Sequence, residues 1–444
     1  MDTKSTGIPP LAGLCTYEEA SRPGLSVEEN VALLRRYNYV ERRLVEISAA
    51  HLARTPEWEV KCALGLHLWL DAEHASALRT RVGEMREPAP SLDDVPDEAL
   101  HALLEEVLRA ETTAELLTGV YCVIRPELAL ALRSHLGRTN PLIDHPTCRT
   151  LKLALQEELD MISWGNAALE ALANDDFAAT SEWETHLGEL LGRTGGIAGD
   201  RPAGSGSPSQ SRWDGGEYEM DAVPRRDARF VDPFNSSARV NDYYVDESRP
   251  SDERVYALLY KRLKEMDVPE LMAPIIFKTR GKPWGYYVDL ARQLWDEARH
   301  AMMGEVGLES LDVPFHRYPV DIASSFTLNT ELTPLESHAI LWWIEQGLMP
   351  RKTGKPLEWQ IARDHGDDLY TAFQDYDWAD EVLHARIGRE WLIPDFGGRR
   401  ELAAAAQEAW PRWQRAKDEV SSRSEQEPWW PDFLEHARGG AVSE

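Results

Sequence analysis

The stretches Leu294–Glu305 (LWDEARHAMMGE) and Trp378–Trp391 (WADEVLHARIGREW) decide how this chain reads. Each carries a glutamate three residues before a histidine: Glu297 with His300, and Glu381 with His384. On a helix, residues three apart share one face about a turn apart, so each pair presents a carboxylate oxygen and an imidazole nitrogen to a common point.

The surrounding sequence supports that helical setting. Apolar positions at helical spacing predict helices over 251–279, 284–306, 331–348 and 367–393, and four earlier ones over 27–54, 57–86, 98–124 and 145–174. Stop signals such as Thr55-Pro56, Pro88, Pro126 and Asn140-Pro141 end the earlier four. Alternating runs of Val, Ile and Thr between Asn-Gly or Asp-Gly turns are missing, so no sizeable sheet is expected. Between Gly192 and Gly216 the chain turns to Gly, Ser and Pro and reads as a linker or disordered insert. The expected organisation is all-α: a bundle over 26–190, a linker and irregular segment over 191–247, and a second bundle over 248–440.

The two halves align with each other. At an offset of 226, Trp58, Trp69, Asp71 and His74 fall on Trp284, Trp295, Glu297 and His300. At 224, Glu41, Glu157 and Asp160 fall on Glu265, Glu381 and His384. A recurring acid-x-x-His beside coincident tryptophans predicts one architecture used twice.

Two acid-x-x-His helices, with one Glu from each of two more, make a four-carboxylate, two-histidine site for a pair of Fe or Mn ions. A hairpin about Gly281 sets Glu265 level with Glu297, so Glu265 is the first choice, with Glu270 kept open beside it. On the third helix Glu336 falls among Leu332, Leu335, Ala339 and Trp343 on a helical wheel, whereas Glu345 points to the other side. Glu336 is therefore the expected ligand. Carboxylates that face inward need cations or protons to offset their charge; otherwise they form a solvated surface.

These residues resemble the ferritin-like superfamily of di-iron and di-manganese carboxylate proteins, whose pattern is Glu, Glu-x-x-His, Glu, Glu-x-x-His over four helices. The resemblance implies two ferritin-like four-helix bundles in tandem. It also implies two iron or manganese ions held by Glu265 or Glu270, Glu297, His300, Glu336, Glu381 and His384, with dioxygen activation as the commonest activity. The first half departs from the pattern: Glu41, Asp71 and His74 remain, Glu111 or Glu115 stands on the third helix, and Glu157-x-x-Asp160 replaces the last pair. A degenerate, structural copy is the favoured reading, with a single-metal site and a harder oxygen site as alternatives.

Composition narrows the partners. Lys and Arg number 48 against 76 Asp and Glu, a net charge of −28 that repels nucleic acid and anionic lipid. Cys15, Cys62, Cys122 and Cys148 lack the spacing of a disulfide framework or a zinc site, and no signal peptide or long apolar run occurs, so a cytoplasmic protein is expected. No GxGxxG, P-loop or nucleophile elbow is present. The expected function is an oxidase or oxygenase acting on a small organic substrate with O2 and an external electron donor, a homodimer being the candidate assembly. The alternative is a non-catalytic metal-binding or helical scaffold protein; storage ranks below catalysis.

Overall fold

The structure, a computed structural model, describes residues 7–86, 88–172, 177–204, 211–350 and 352–440. Among the described residues every regular element is helical, and no helix is long and apolar enough to cross a membrane. The chain divides into two compact units, Met1–Ile47 with Leu70–Glu219, and Ser48–Trp69 with Met220–Glu444.

The first helices in chain order are α1 (Tyr17–Ala20), α2 (Val27–Leu52), α3 (Trp58–Met85), α4 (Glu98–Leu108), α5 (Thr113–Leu117), α6 (Arg125–Arg138), α7 (His145–Leu172) and α8 (Phe177–Arg193). Pro126, read from the sequence as a stop, is no break: the π-helical stretch Thr118–Ile124 runs straight into α6. Pro126 has no N–H to give to the preceding turn, and the π turn ahead of it absorbs the missing bond. Arg125, the residue at this junction, is fully buried.

In the Gly-rich stretch after α8, residues 205–210 lie outside the described residues. The part before them returns to α2, where Arg36 donates to the carbonyls of Ile197 (2.7 Å) and Gly196 (3.2 Å). Gly195, Gly196 and Gly199 adopt the positive φ that this tight return requires.

The second unit continues with α9 (Val240–Val245), α10 (Ser251–Leu263), α11 (Asp267–Lys278), α12 (Trp284–Glu309), α13 (Ala323–Glu331), α14 (Pro334–Gly347), α15 (Lys355–His365), α16 (Asp368–Phe396), α17 (Arg399–Ser421) and α18 (Trp430–Gly440). The helix expected over 251–279 is broken by a 3-10 turn at Lys264–Met266. Asp367 starts α16 by accepting from the Tyr370 N–H at 2.8 Å, and Gly397 in the left-handed region ends it.

Helix α12 packs against α10, α11 and α16, and α14 packs against α16. Two glycines permit this spacing, each four residues after a motif histidine. A Cβ on Gly304 would lie 2.1 Å from the Leu263 backbone nitrogen of α10, and one on Gly388 would lie 2.7 Å from Trp342 Cδ1 of α14.

Candidate metal centre

Four elements of the second unit converge on one buried polar cluster. The 3-10 turn brings Glu265, α12 brings Glu297 and His300, α14 brings Glu345, and α16 brings Asp377, Glu381 and His384. Ligand-capable atoms of Glu297, Glu345, Glu381 and His384 all lie within 4.8 Å of one another, as do those of Glu265, His300 and Asp377. His384 Nδ1 is 3.1 Å from Glu297 and 3.5 Å from Glu381, while His300 Nδ1 is 3.4 Å from Asp377 and 3.6 Å from Glu265.

The orientation of the rings is set from behind. His300 Nε2 faces Asp380 at 3.1 Å, and His384 Nε2 faces Asp296 at 3.3 Å. Arg292 (2.9 Å) and Arg299 (2.6 Å) hold Asp296, and Arg299 also reaches Asp380 at 2.6 Å. Burial raises the Asp296 carboxyl, but His384 and these arginines outweigh it and keep the group ionised. With Nε2 committed to a carboxylate, Nδ1 of each ring is the nitrogen left to face the cluster.

That inward set is unsatisfied. Glu297 Oε1, Glu345 Oε2, Glu381 Oε2, His384 Nδ1, Glu265 Oε2 and His300 Nδ1 are buried and lack hydrogen-bond partners among the described residues. Their partner oxygens are engaged: Gln293 donates to Glu345 Oε1 at 3.4 Å, and the Lys355 ammonium lies 2.8 Å from Glu381 Oε1. Buried polar atoms left without partners cost about 1–3 kcal/mol each, so this arrangement suits a ligand that is itself a cation. Carboxylate oxygens with imidazole nitrogen are the donors that iron and manganese accept.

Fixed cations supply part of the balance. Lys355 contacts Asp377 at 2.8 Å and Glu265 at 3.5 Å, and Arg262 pairs with Asp377 and lies 2.9 Å from Glu265. Burial raises Asp377, but Arg262 and Lys355 hold it below its ordinary range. Arg262 and Lys355 do not offset the five carboxylates Glu265, Glu297, Glu345, Asp377 and Glu381. Burial pushes Glu265 up to about 7, and burial with the Glu381 carboxylate beside it pushes Glu345 well above its usual value. Burial lowers His300, yet Asp377, Asp380 and Glu297 raise it to about 10.

Two expected residues lie elsewhere. Glu270 pairs with Lys61 and Arg226, which hold it ionised against its burial. Glu336 closes a capping box with Thr333 at the start of α14 and pairs with Arg412 at 2.7 Å. Glu345 takes the place expected for Glu336. The wheel was misleading because α14 is buried nearly all round over residues 337–342 and has no single apolar stripe. Asp377 lay one turn before Glu381 on the same helix face, a signal the sequence held unused.

The first unit holds a related cluster of Glu41, Asp71, His74 and Glu158. Glu158 rather than Glu157 points inward, and Asp160 is exposed. Glu115 pairs with Arg212 at 2.8 Å, and Glu111 is exposed and donates its backbone N–H to Glu115. The Arg125 guanidinium bridges Asp71 (2.8 Å) and Glu158 (2.9 Å). Burial raises Glu158 to about 8 and Asp71 to about 6 despite that arginine.

No family model, no curated protein and no solved structure matches this chain.

Proposed function

We propose that the second unit is a ferritin-like bundle binding a pair of iron or manganese ions, and that the chain as a whole is a tandem of two ferritin-like bundles, the first without that metal pair. Glu297, Glu345, Glu381 and His384 would hold one ion, and Glu265, His300 and Asp377 the other. The observation that carries this reading is the set of unsatisfied inward atoms on Glu265, Glu297, His300, Glu345, Glu381 and His384, each backed by the rest of the protein. The activity is that of an oxidase or oxygenase acting on a small organic substrate with O2 and an external electron donor.

When bound, the reduced metal pair supplies the redox chemistry with dioxygen that no side chain supplies alone. The residues of the chain provide the setting. Asp296 and Asp380 hold the two imidazoles in the tautomer that presents Nδ1, and Gln293 and Lys355 each restrain one oxygen of Glu345 and Glu381 so that the other faces inward. Burial of Glu297, His300, Asp377, Glu381 and His384 excludes water and strengthens every charge interaction at the site. Burial and the Glu381 carboxylate raise Glu345 well above its usual range, so its carboxyl would have to release a proton to hold a cation.

Dioxygen uptake after anaerobic reduction of metal-loaded protein tests the reading. Uptake is expected in the parent chain and not in a folded Glu297→Ala, His300→Ala, Glu381→Ala, His384→Ala variant. A folded, metal-loaded parent that consumes no dioxygen with any reductant would leave a non-catalytic metal-binding protein.

A further inference from the structure

We infer that the first unit binds one divalent cation between Glu41, His74 and Glu158, with the Arg125 guanidinium occupying the place of a second. The donor set is made of first-unit residues alone and is tested separately, while the place given to Arg125 rests on the metal pair proposed for the second unit.

The first observation is a buried, unpartnered donor set. Glu41 is 0 % exposed, and both of its carboxylate oxygens lack a hydrogen-bond partner among the described residues, as does His74 Nδ1. His74 Nδ1 lies 3.3 Å from Glu41 and 3.9 Å from Glu158. Its other nitrogen, Nε2, is 2.6 Å from Glu157, which fixes the ring with Nδ1 turned into the cluster. The His74 imidazole is the charge partner of the buried Glu41 carboxylate, and Arg125 adds none, because its guanidinium is committed to Asp71 and Glu158.

The second observation is a pattern between the halves of the chain. At an offset of 223, Glu157, Glu158, Met161 and Gly165 match Asp380, Glu381, His384 and Gly388. The inward Glu158 and Glu381, and the glycines that meet Tyr121 and Trp342, agree with this register. At 226, Leu70, Asp71 and His74 match Asp296, Glu297 and His300. The histidine His384 and its anchor Asp296 are thus replaced together, by Met161 and Leu70. His300 and its anchor Asp380 are retained together, as His74 and Glu157. Arg125 lies on the side that lost its imidazole, and because Ala154 stands where this register has Asp377, the second carboxylate for the His74 side is Glu158, which Arg125 also contacts.

Two carboxylates and one imidazole suit a divalent first-row ion such as Mn2+, Fe2+, Co2+ or Zn2+. The test is Co2+ titration of the full chain carrying His300→Gln and His384→Gln, followed by visible absorption, with far-UV circular dichroism confirming the fold. About one equivalent remains bound, and Glu41→Gln or His74→Gln added to that chain weakens binding at least about tenfold. In the chain with an unaltered second unit, His74→Gln alone lowers the total cobalt bound by about one equivalent. Cobalt that is absent from the folded double variant, or a total that His74→Gln leaves unchanged, would overturn the inference.

Discussion

Asp296 on α12 faces the Nε2 of His384 on α16 at 3.3 Å, and Asp380 on α16 faces the Nε2 of His300 on α12 at 3.1 Å, so each helix anchors the other's histidine. The exchange makes ring orientation a property of the helix pair rather than of either helix. Replacing Asp296 or Asp380 by Ala leaves each Nδ1 free to turn, and metal affinity is expected to fall about 10–100-fold with helicity retained. Chelator competition reads the change.

Lys355 is 0 % exposed beside Asp377 and Glu381. Lys355→Met takes the lysine from Glu381 and leaves Asp377 with Arg262 alone, and the metal-free protein is expected to lose about 3–5 kcal/mol. Urea unfolding measures the loss. Added Mn2+ should restore more stability to the variant than to the parent, since a metal supplies the missing charge.

Glu336 and Glu345 separate the role of a helix cap from that of a ligand. Glu336→Gln keeps the reach to the Thr333 backbone N–H and should leave metal content unchanged, with a stability change below about 1 kcal/mol. Glu345→Gln removes a carboxyl that can ionise to hold a cation and should weaken metal binding at least tenfold by titration (about 1.4 kcal/mol).

Gly304→Ala places a methyl 2.1 Å from a backbone nitrogen of Leu263, which no rotamer change relieves. A loss of about 1–3 kcal/mol is expected by thermal unfolding. Gly137→Ala, on α6 with open space at its Cβ, is the control and should be neutral or slightly stabilising.

The pH response should reverse sign with metal. In the metal-free chain the folded carboxyls of Glu265 and Asp267 titrate near 7, above their unfolded values, so the folded state binds extra protons and gains stability as pH falls from about 7 to about 5. In the metal-loaded chain protons compete with the ion, so stability falls over the same range. Thermal unfolding at pH 7 and pH 5, with Mn2+ and with chelator, compares the two.

Much of the helical framework was legible in the sequence. The expected 284–306 and 367–393 correspond to Trp284–Glu309 and Asp368–Phe396, because long periodic runs with a capping Asp367 leave little freedom. Helices α1, α6, α8, α9, α13, α15, α17 and α18 lie outside the segments expected from the sequence. Pro126 and Pro356 look like breakers but sit in first turns, and α17 continues through Pro411. In the cluster, the Glu-x-x-His pairs could be read because their geometry is local to one helix. Lys355, Arg262 and Arg125 could not, since nothing local distinguishes a lysine or arginine aimed into a buried acidic cluster from one in solvent.

Metal analysis of the purified, Fe2+- or Mn2+-reconstituted chain, beside a Glu345→Gln, His384→Gln, His300→Gln variant of matched circular dichroism, tests the second-unit centre. A loss of about two ions per chain in the variant is expected. Equal metal content in the two folded proteins, or none in the parent after reconstitution, would contradict it.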